Sequence, residues 1–314
     1  MATAGAVAAS RGGAGLMRSA RGALPGRLRS LLFAPANRLD LVAKLPRSGP
    51  DGVVIDLEDA VPAAGKAAAR LLVPGGVRLV LAASGAPPVF VRVNPLGGEH
   101  HSADLAALEP GLTGVVLPKV SSREDVRELR NELDERGLEA LAIIAGIESA
   151  AGVASAREIA RAGIDVLYFG AEDFITDMGG ERTASNREVL YARSEVALAA
   201  RLGDVLGLDQ VVVDIQDHDR LRRECEEARA LGYGGKLCIH PGQVGVANEA
   251  FMPGAEEIER SRRMVAAFDA GRGESRGVID FEGQMVDEPV VRRARAVLLR
   301  AGLVEDGGGG VHVG

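Results

Sequence analysis

Residues 142–173 read AIIAGIESAAGVASAREIARAGIDVLYFGAED, and the fold is decided here. Positions 142–147 and 166–170 are almost wholly apolar or glycine, with no polar alternation. That is the pattern of parallel strands covered on both faces. Between them 149–161 carries a helical pattern. Strand, helix and strand within about 30 residues make a βαβ unit. Polar groups follow each strand at once: Glu148 and Ser149 after the first, Glu172 and Asp173 after the second.

The same unit recurs on both sides. Short aliphatic runs stand at 31–34, 53–56, 89–93, 114–117, 211–215 and 236–239, which with the first two makes eight. Helical patterns lie between them at 122–136, 186–202 and 219–231, and Ser122 with Asp125 opens one in capping-box fashion. Eight successive β-then-α units imply a closed α/β barrel, the (β/α)8 or TIM barrel, more readily than an open sheet. No strand is followed by Gly-x-Gly-x-x-Gly or by a Walker lysine motif, so two nucleotide-binding readings lose their main support. Pro74, Gly75 and Gly76 are expected to break the second helix, within 71–88. Beyond the eighth run, helical patterns at 255–268 and 288–301 flank a glycine-containing segment that reads as a mobile lid. The expected organisation is a disordered tail at 1–27, a barrel at 28–250, a C-terminal helical lid extension at 251–303 and a disordered tail at 304–314.

Composition narrows the function classes. Of 314 residues, 46% are hydrophobic, enough for a substantial core, and the net charge of −7 argues against a broad nucleic-acid footprint. No apolar run reaches the length of a membrane span. Residues 1–27 are rich in Ala, Gly and Arg without an acid, but lack the apolar core of a secretory signal. Cys225 and Cys238 have no metal-ligand spacing and read as reduced thiols of a cytoplasmic protein. Lysine is scarce, at positions 44, 66, 119 and 236 only.

In such a barrel the chemistry gathers at the C-terminal ends of the strands. Asp56, Glu58 and Asp59 follow strand two, Arg92 and Asn94 strand three, Lys119 strand four, Glu148 strand five and Asp173 strand six. Asp214 and Asp217 are expected beside strand seven, and His240 beside strand eight. Carboxylates on neighbouring strands with no His or Cys cluster suit Mg²⁺, which takes oxygen ligands, typically one or two carboxylates plus water and substrate. Arg92 offers a planar fork for a substrate carboxylate. Plainer roles compete. Glu148 with Ser149 can start a helix, and Asp56, Glu58 and Asp59 can form a structural network with Lys66 and Arg70 that also shapes the site. His100 and His101 read as solvated, His240 as a structural hydrogen-bonder, and Asp287, ahead of Pro289, as a helix N-cap.

The landmarks RSLLFAP (29–35), IDLEDAV (55–61), VRVNP (91–95), LPK (117–119), IES (147–149), FGAED (169–173) and GKLCIHP (235–241) are weak singly. In this order and spacing the chain resembles the citrate lyase beta-subunit-like branch of the aldolase/citrate lyase superfamily, which includes malyl-CoA and citramalyl-CoA lyases. The resemblance implies a (β/α)8 barrel, Mg²⁺ dependence and a homotrimer or homohexamer. It assigns the metal to Glu148 and Asp173 and contact with the substrate carboxylate and carbonyl to Arg92. GQMVD at 283–287 resembles the family's C-terminal lid motif, which makes Asp287 the candidate acid/base, acting in a neighbouring subunit. Ala36 and Ser149 depart mildly from the family's usual Gly and Thr. The implied activity is Mg²⁺-dependent cleavage of a 3-hydroxy-3-carboxyacyl-CoA to acetyl-CoA and a 2-oxo acid, or the reverse condensation. A citryl-carrier-protein lyase beta subunit, a malyl-CoA thioesterase and a non-catalytic metabolite-binding barrel are the alternatives.

Overall fold

The computed structural model describes Leu24 and residues 27–109, 111–273 and 277–303. The expected barrel is present. Strands β1 (Ser30–Pro35), β2 (Gly52–Asp56), β3 (Val89–Arg92), β4 (Gly114–Leu117), β5 (Ala142–Ile147), β6 (Val166–Phe169), β7 (Leu206–Asp209) and β8 (Gly235–Cys238) pair in chain order. All pairings are parallel, and β8 closes on β1 with Leu31 opposite Leu237.

The side-chain period of two separates two apolar layers. Leu31, Val54, Phe90, Val116, Ile144, Val166, Leu208 and Leu237 fill the barrel interior. Their neighbours, among them Leu32, Val53, Val91, Val115, Ile143 and Leu167, face the helices. Both faces are buried, which is why the strands read as continuous apolar runs. Leu24, inside the tail expected at 1–27, packs against the interior cluster. Apart from Leu24 and Arg27, the tails expected at 1–27 and 304–314 lie outside the described residues.

Two expectations are corrected. The seventh strand is 206–209, not 211–215. The later run lies past the rim, where Asp214 turns back to accept the amide of Gln216 at 3.0 Å. The true strand is disguised by Asp209, a charge in a buried, helix-facing position. The second helix runs unbroken over Lys66–Leu81 with Pro74 inside it. Ala69, Val73, Gly76, Val77 and Val80 form its buried face, and that packing outweighs the hydrogen bond that proline forfeits. Gly76 permits the close approach: a Cβ there would lie 3.2 Å from Ile55 Cδ1 and 3.3 Å from Val42 Cγ1.

Asp209 is held by charges from two other elements. Arg193 donates through Nε and Nη2 at 2.7 and 3.0 Å, and Lys236 Nζ at 2.6 Å. Lys236 also lies 3.3 Å from Glu224, whose other oxygen accepts from Arg220 at 2.7 Å. Burial alone would raise the Glu224 carboxyl, but Lys236 and Arg220 outweigh it and bring it down to about 2. A depressed carboxyl stabilises the fold above its unfolded value of about 4.3, and that stabilisation is lost as pH falls from there toward about 2. Glu224→Gln is therefore expected to flatten the acid limb of stability between those values and to lower stability at pH 7. Urea midpoints across that pH range read both effects.

The chain divides into two compact units after Phe251. The second unit holds helix Ala255–Gly273, a two-stranded hairpin of β9 (Ile279–Phe281) and β10 (Gln284–Val286), and helix Glu288–Arg300. The hairpin lies within the segment expected as a mobile lid between these helices. Its turn, Glu282-Gly283, has φ of 55° and 76°, both left-handed, as a tight two-residue hairpin requires. Met264, Phe268, Val286, Val291 and Ala294 form this unit's own core. Among the described residues no helix is long and apolar enough to cross a membrane.

Candidate active site

The inward parity that places Val54, Phe90, Ile144 and Val166 in the interior continues two residues on, to Asp56, Arg92, Gly146 and Tyr168, and then to Glu148 and Gly170. A cavity of about 440 Å³ opens at this C-terminal rim, lined by Asp56, Asp59, Arg92, Glu148, Tyr168 and Asp173 together with Phe33, Pro35, Leu237 and Ile239. That volume suits a small-molecule site.

Asp56 and Arg92 are directly paired in the β2–β3 register. Arg92 donates Nε and Nη2 to the two Asp56 oxygens at 2.7 and 2.6 Å. Its Nη1 lies 2.8 Å from Glu58 Oε2 and its guanidinium 5.3 Å from the Phe33 ring centre. The fork edge expected to be open to a substrate carboxylate is thus closed by Asp56, and the Nη1 end is paired with Glu58 at the cavity wall. Asp56 also caps the turn after β2, accepting the Glu58 amide at 2.9 Å. Lys119, at a left-handed φ of 55°, donates to Glu58 at 2.7 Å and lies 3.7 Å from Asp173.

The partners of the acidic cluster therefore differ from the expected Lys66 and Arg70. Lys66 donates to the carbonyls of Leu57 and Glu58, at 2.8 and 2.7 Å. Arg70 pairs with Asp104 at 2.8 Å, and Asp104 in turn holds the Asn94 amide at 2.9 Å. Asp56 and Glu58 pair across strands with Arg92 and Lys119, because barrel neighbours approach more closely than residues one turn along.

Glu148 is the most perturbed acid at the rim. Ser149, not Glu148, caps the following helix, accepting from the Gly152 amide at 3.1 Å, so the carboxylate is left to the cavity side. It is 3% exposed. Its Oε1 accepts the Tyr168 hydroxyl, while Oε2 is buried with no hydrogen-bond partner among the described residues. Burial pushes this carboxyl up to about 8, against the opposing pull of the Tyr168 bond, with Glu58 and Asp173 adding repulsion. Asp173, in the first turn of helix Ala171–Asp177, is half exposed beside it.

Other expected residues lie elsewhere. Asp214 serves its own turn, and Asp217 caps helix His218–Leu231 through the Arg220 amide at 2.8 Å. His101, expected in solvent, is buried between the Asn94 carbonyl at 2.8 Å and Glu132 at 2.9 Å. His240 caps helix Pro241–Ala250, the structural role expected. Asp287 caps helix Glu288–Arg300, accepting the Val290 amide at 3.2 Å. Tyr168 went unnoticed in the sequence. Its signal was a single polar tip within an apolar strand, at the same inward parity as Gly170.

Eight parallel strands closed into a barrel, with carboxylates, an arginine and a lysine gathered at the C-terminal rim, define a (β/α)8-barrel enzyme. The chain belongs to the HpcH/HpaI aldolase/citrate lyase family, whose model matches residues 29–241, and it is a carbon–carbon lyase of the citrate lyase beta-like kind. It is 51% identical over 277 residues to a citrate lyase subunit beta-like protein of Deinococcus radiodurans, covering 87% of this chain and 97% of that one. It is 30% identical to the mitochondrial citramalyl-CoA lyase of Mus musculus, covering 88% of this chain and 87% of the relative. Among solved structures it is similar to CitE of Mycobacterium tuberculosis in complex with magnesium, acetoacetate and coenzyme A. There the TM-score is 0.76 at 36% identity, over 87% of this chain and 98% of that one.

Proposed function

We propose that this lyase cleaves a 3-hydroxy-3-carboxyacyl-CoA of the malyl-CoA or citramalyl-CoA type to acetyl-CoA and a 2-oxo acid, or runs the reverse condensation, with Mg²⁺ held by Glu148 and Asp173. The observation that carries the reading is the buried Glu148, one oxygen tied to Tyr168 and the other without a hydrogen-bond partner among the described residues. An unpaired buried carboxylate is costly unless a cation meets it. At the rim Asp56, Glu58, Asp59 and Asp173 outnumber Arg92 and Lys119 by two charges even before Glu148 is counted. Among the described residues no three His, Cys, Asp or Glu converge as a metal cage. Two carboxylates, with water and substrate completing the shell, fit the habits of Mg²⁺. When bound, the ion supplies Lewis acidity toward the hydroxyl and carboxylate of the departing 2-oxo acid.

The chain's own residues do the rest. Arg92, braced by Asp56 and Glu58, meets the substrate carboxylate and carbonyl at the cavity wall and moderates the charge that develops as the carbon–carbon bond breaks. Lys119 balances Glu58 and Asp173. Phe33, Leu237 and Ile239 close the apolar side of the cavity and exclude water. Asp287 from a neighbouring copy, in a homotrimer or homohexamer, takes the hydroxyl proton, and the acetyl-CoA enolate is then protonated. The buried free thiols Cys225 and Cys238 suit a reducing cytoplasm.

Turnover of malyl-, citramalyl- and hydroxymethylglutaryl-CoA, with and without Mg²⁺, tests this. Mass spectrometry separates acetyl-CoA from free CoA. Mg²⁺-dependent acetyl-CoA with a 2-oxo acid is expected. Free CoA with an intact hydroxy acid would establish a thioesterase instead, and turnover of a citryl carrier protein alone would establish a citrate lyase beta subunit.

A further inference from the structure

Tyr168 is fully inside the barrel, on β6, in register with Gly146 of β5. Its hydroxyl donates to Glu148 Oε1. Gly146 has no left-handed φ to explain it. Its reason is steric, because a Cβ there would collide with the Tyr168 hydroxyl and the Glu148 carboxylate. Gly170 is alike: a Cβ would stand 2.7 Å from Glu148 Cγ, at an ordinary φ of −106°. Two adjacent strands thus give up their inward side chains to seat one phenol and one carboxylate. Glutamate has three rotatable bonds and in an open site would sample several rotamers. Here the gaps at Gly146 and Gly170 admit the side chain and the phenol ties down one of its oxygens.

We infer that Tyr168 is a positioning residue, which with Gly146 holds Glu148 by one oxygen so that the other stays free to ligate a divalent cation. The inference rests on the proposed metal role of Glu148. Outer groups that orient a ligand commonly govern metal affinity by about 10–100-fold when removed. Tyr168→Phe deletes only the hydroxyl and keeps the ring that fills the interior.

The test is Mn²⁺ binding to the full chain without substrate, read by electron paramagnetic resonance, with the melting temperature measured alongside. Tyr168→Phe is expected to weaken Mn²⁺ binding by about 10–100-fold with little change in melting. Gly146→Ala, which keeps the hydroxyl but crowds it off the carboxylate, is expected to weaken binding similarly. In a Glu148→Gln background Tyr168→Phe should add nothing further, the signature of action through Glu148. If Glu148→Gln leaves Mn²⁺ affinity intact, the metal reading itself fails. If it weakens binding while Tyr168→Phe binds within about twofold of the native protein, positioning by Tyr168 is overturned and the metal reading stands. A purely structural role would lower melting without moving the affinity.

Discussion

Glu148→Gln is expected to lower turnover of the proposed acyl-CoA substrate by at least about 10²–10³-fold and to abolish the rise in melting temperature expected when Mg²⁺ is added to the native protein. The amide keeps the acceptor for the Tyr168 hydroxyl and the volume of the side chain, so the fold is undisturbed. Only the charge is lost. Because burial pushes the native carboxyl up to about 8, holding it ionised without a cation is unfavourable, and the amide relieves that cost. The variant should therefore match or exceed the metal-free native protein in stability while losing activity. Ligand-linked stabilisation scales with affinity for the folded state, so thermal melts across a Mg²⁺ titration separate the two effects. Asp173→Asn should follow the same pattern with a smaller change in metal-free stability, because its carboxylate is 43% exposed. Native-like Mg²⁺-dependent turnover in both variants would sink the proposed site.

Arg92→Ala is expected to damage stability and activity together. The guanidinium is the bidentate partner of Asp56 and an ion-pair partner of Glu58, both of them buried. Removing one member of such a cluster leaves uncompensated buried charge and typically costs about 3–5 kcal/mol. Turnover is expected to fall as well, since the cation proposed to meet the substrate's carboxylate and carbonyl is gone. Arg92→Lys restores the charge but not the two-pronged geometry across the Asp56 oxygens, at 2.7 and 2.6 Å. It should recover part of the stability and little of the activity. Urea unfolding together with kcat and KM, measured well below each variant's melting point, distinguishes these outcomes. A lysine variant with native kcat would show that the fork merely supplies charge.

The elements that were legible in the sequence share a physical origin. Strands β5 and β6 are buried on both faces, so each of their positions obeys one rule, and the polar residues that break it stand at their ends. The capping box of Ser122 and Asp125 is equally local, three residues apart, and forms as read. Strand β7 broke the rule within itself. Asp209 is tolerated in a buried position because Arg193 and Lys236 reach it from elsewhere in the chain. The helix through Pro74 survives because its apolar face is covered by the barrel, which no local propensity records.

By itself the sequence determined the repeating βα units, the closed barrel they imply, and the strand-end positions at which carboxylates, Arg92 and Lys119 stand. Those follow from side-chain period and burial, which act residue by residue. Tertiary structure decided which of these groups meet. It gave Arg92 to Asp56, Lys119 to Glu58, Arg70 to Asp104 and the Tyr168 hydroxyl to Glu148. Pairing of charges depends on distances across neighbouring strands, and closure of the barrel sets those distances.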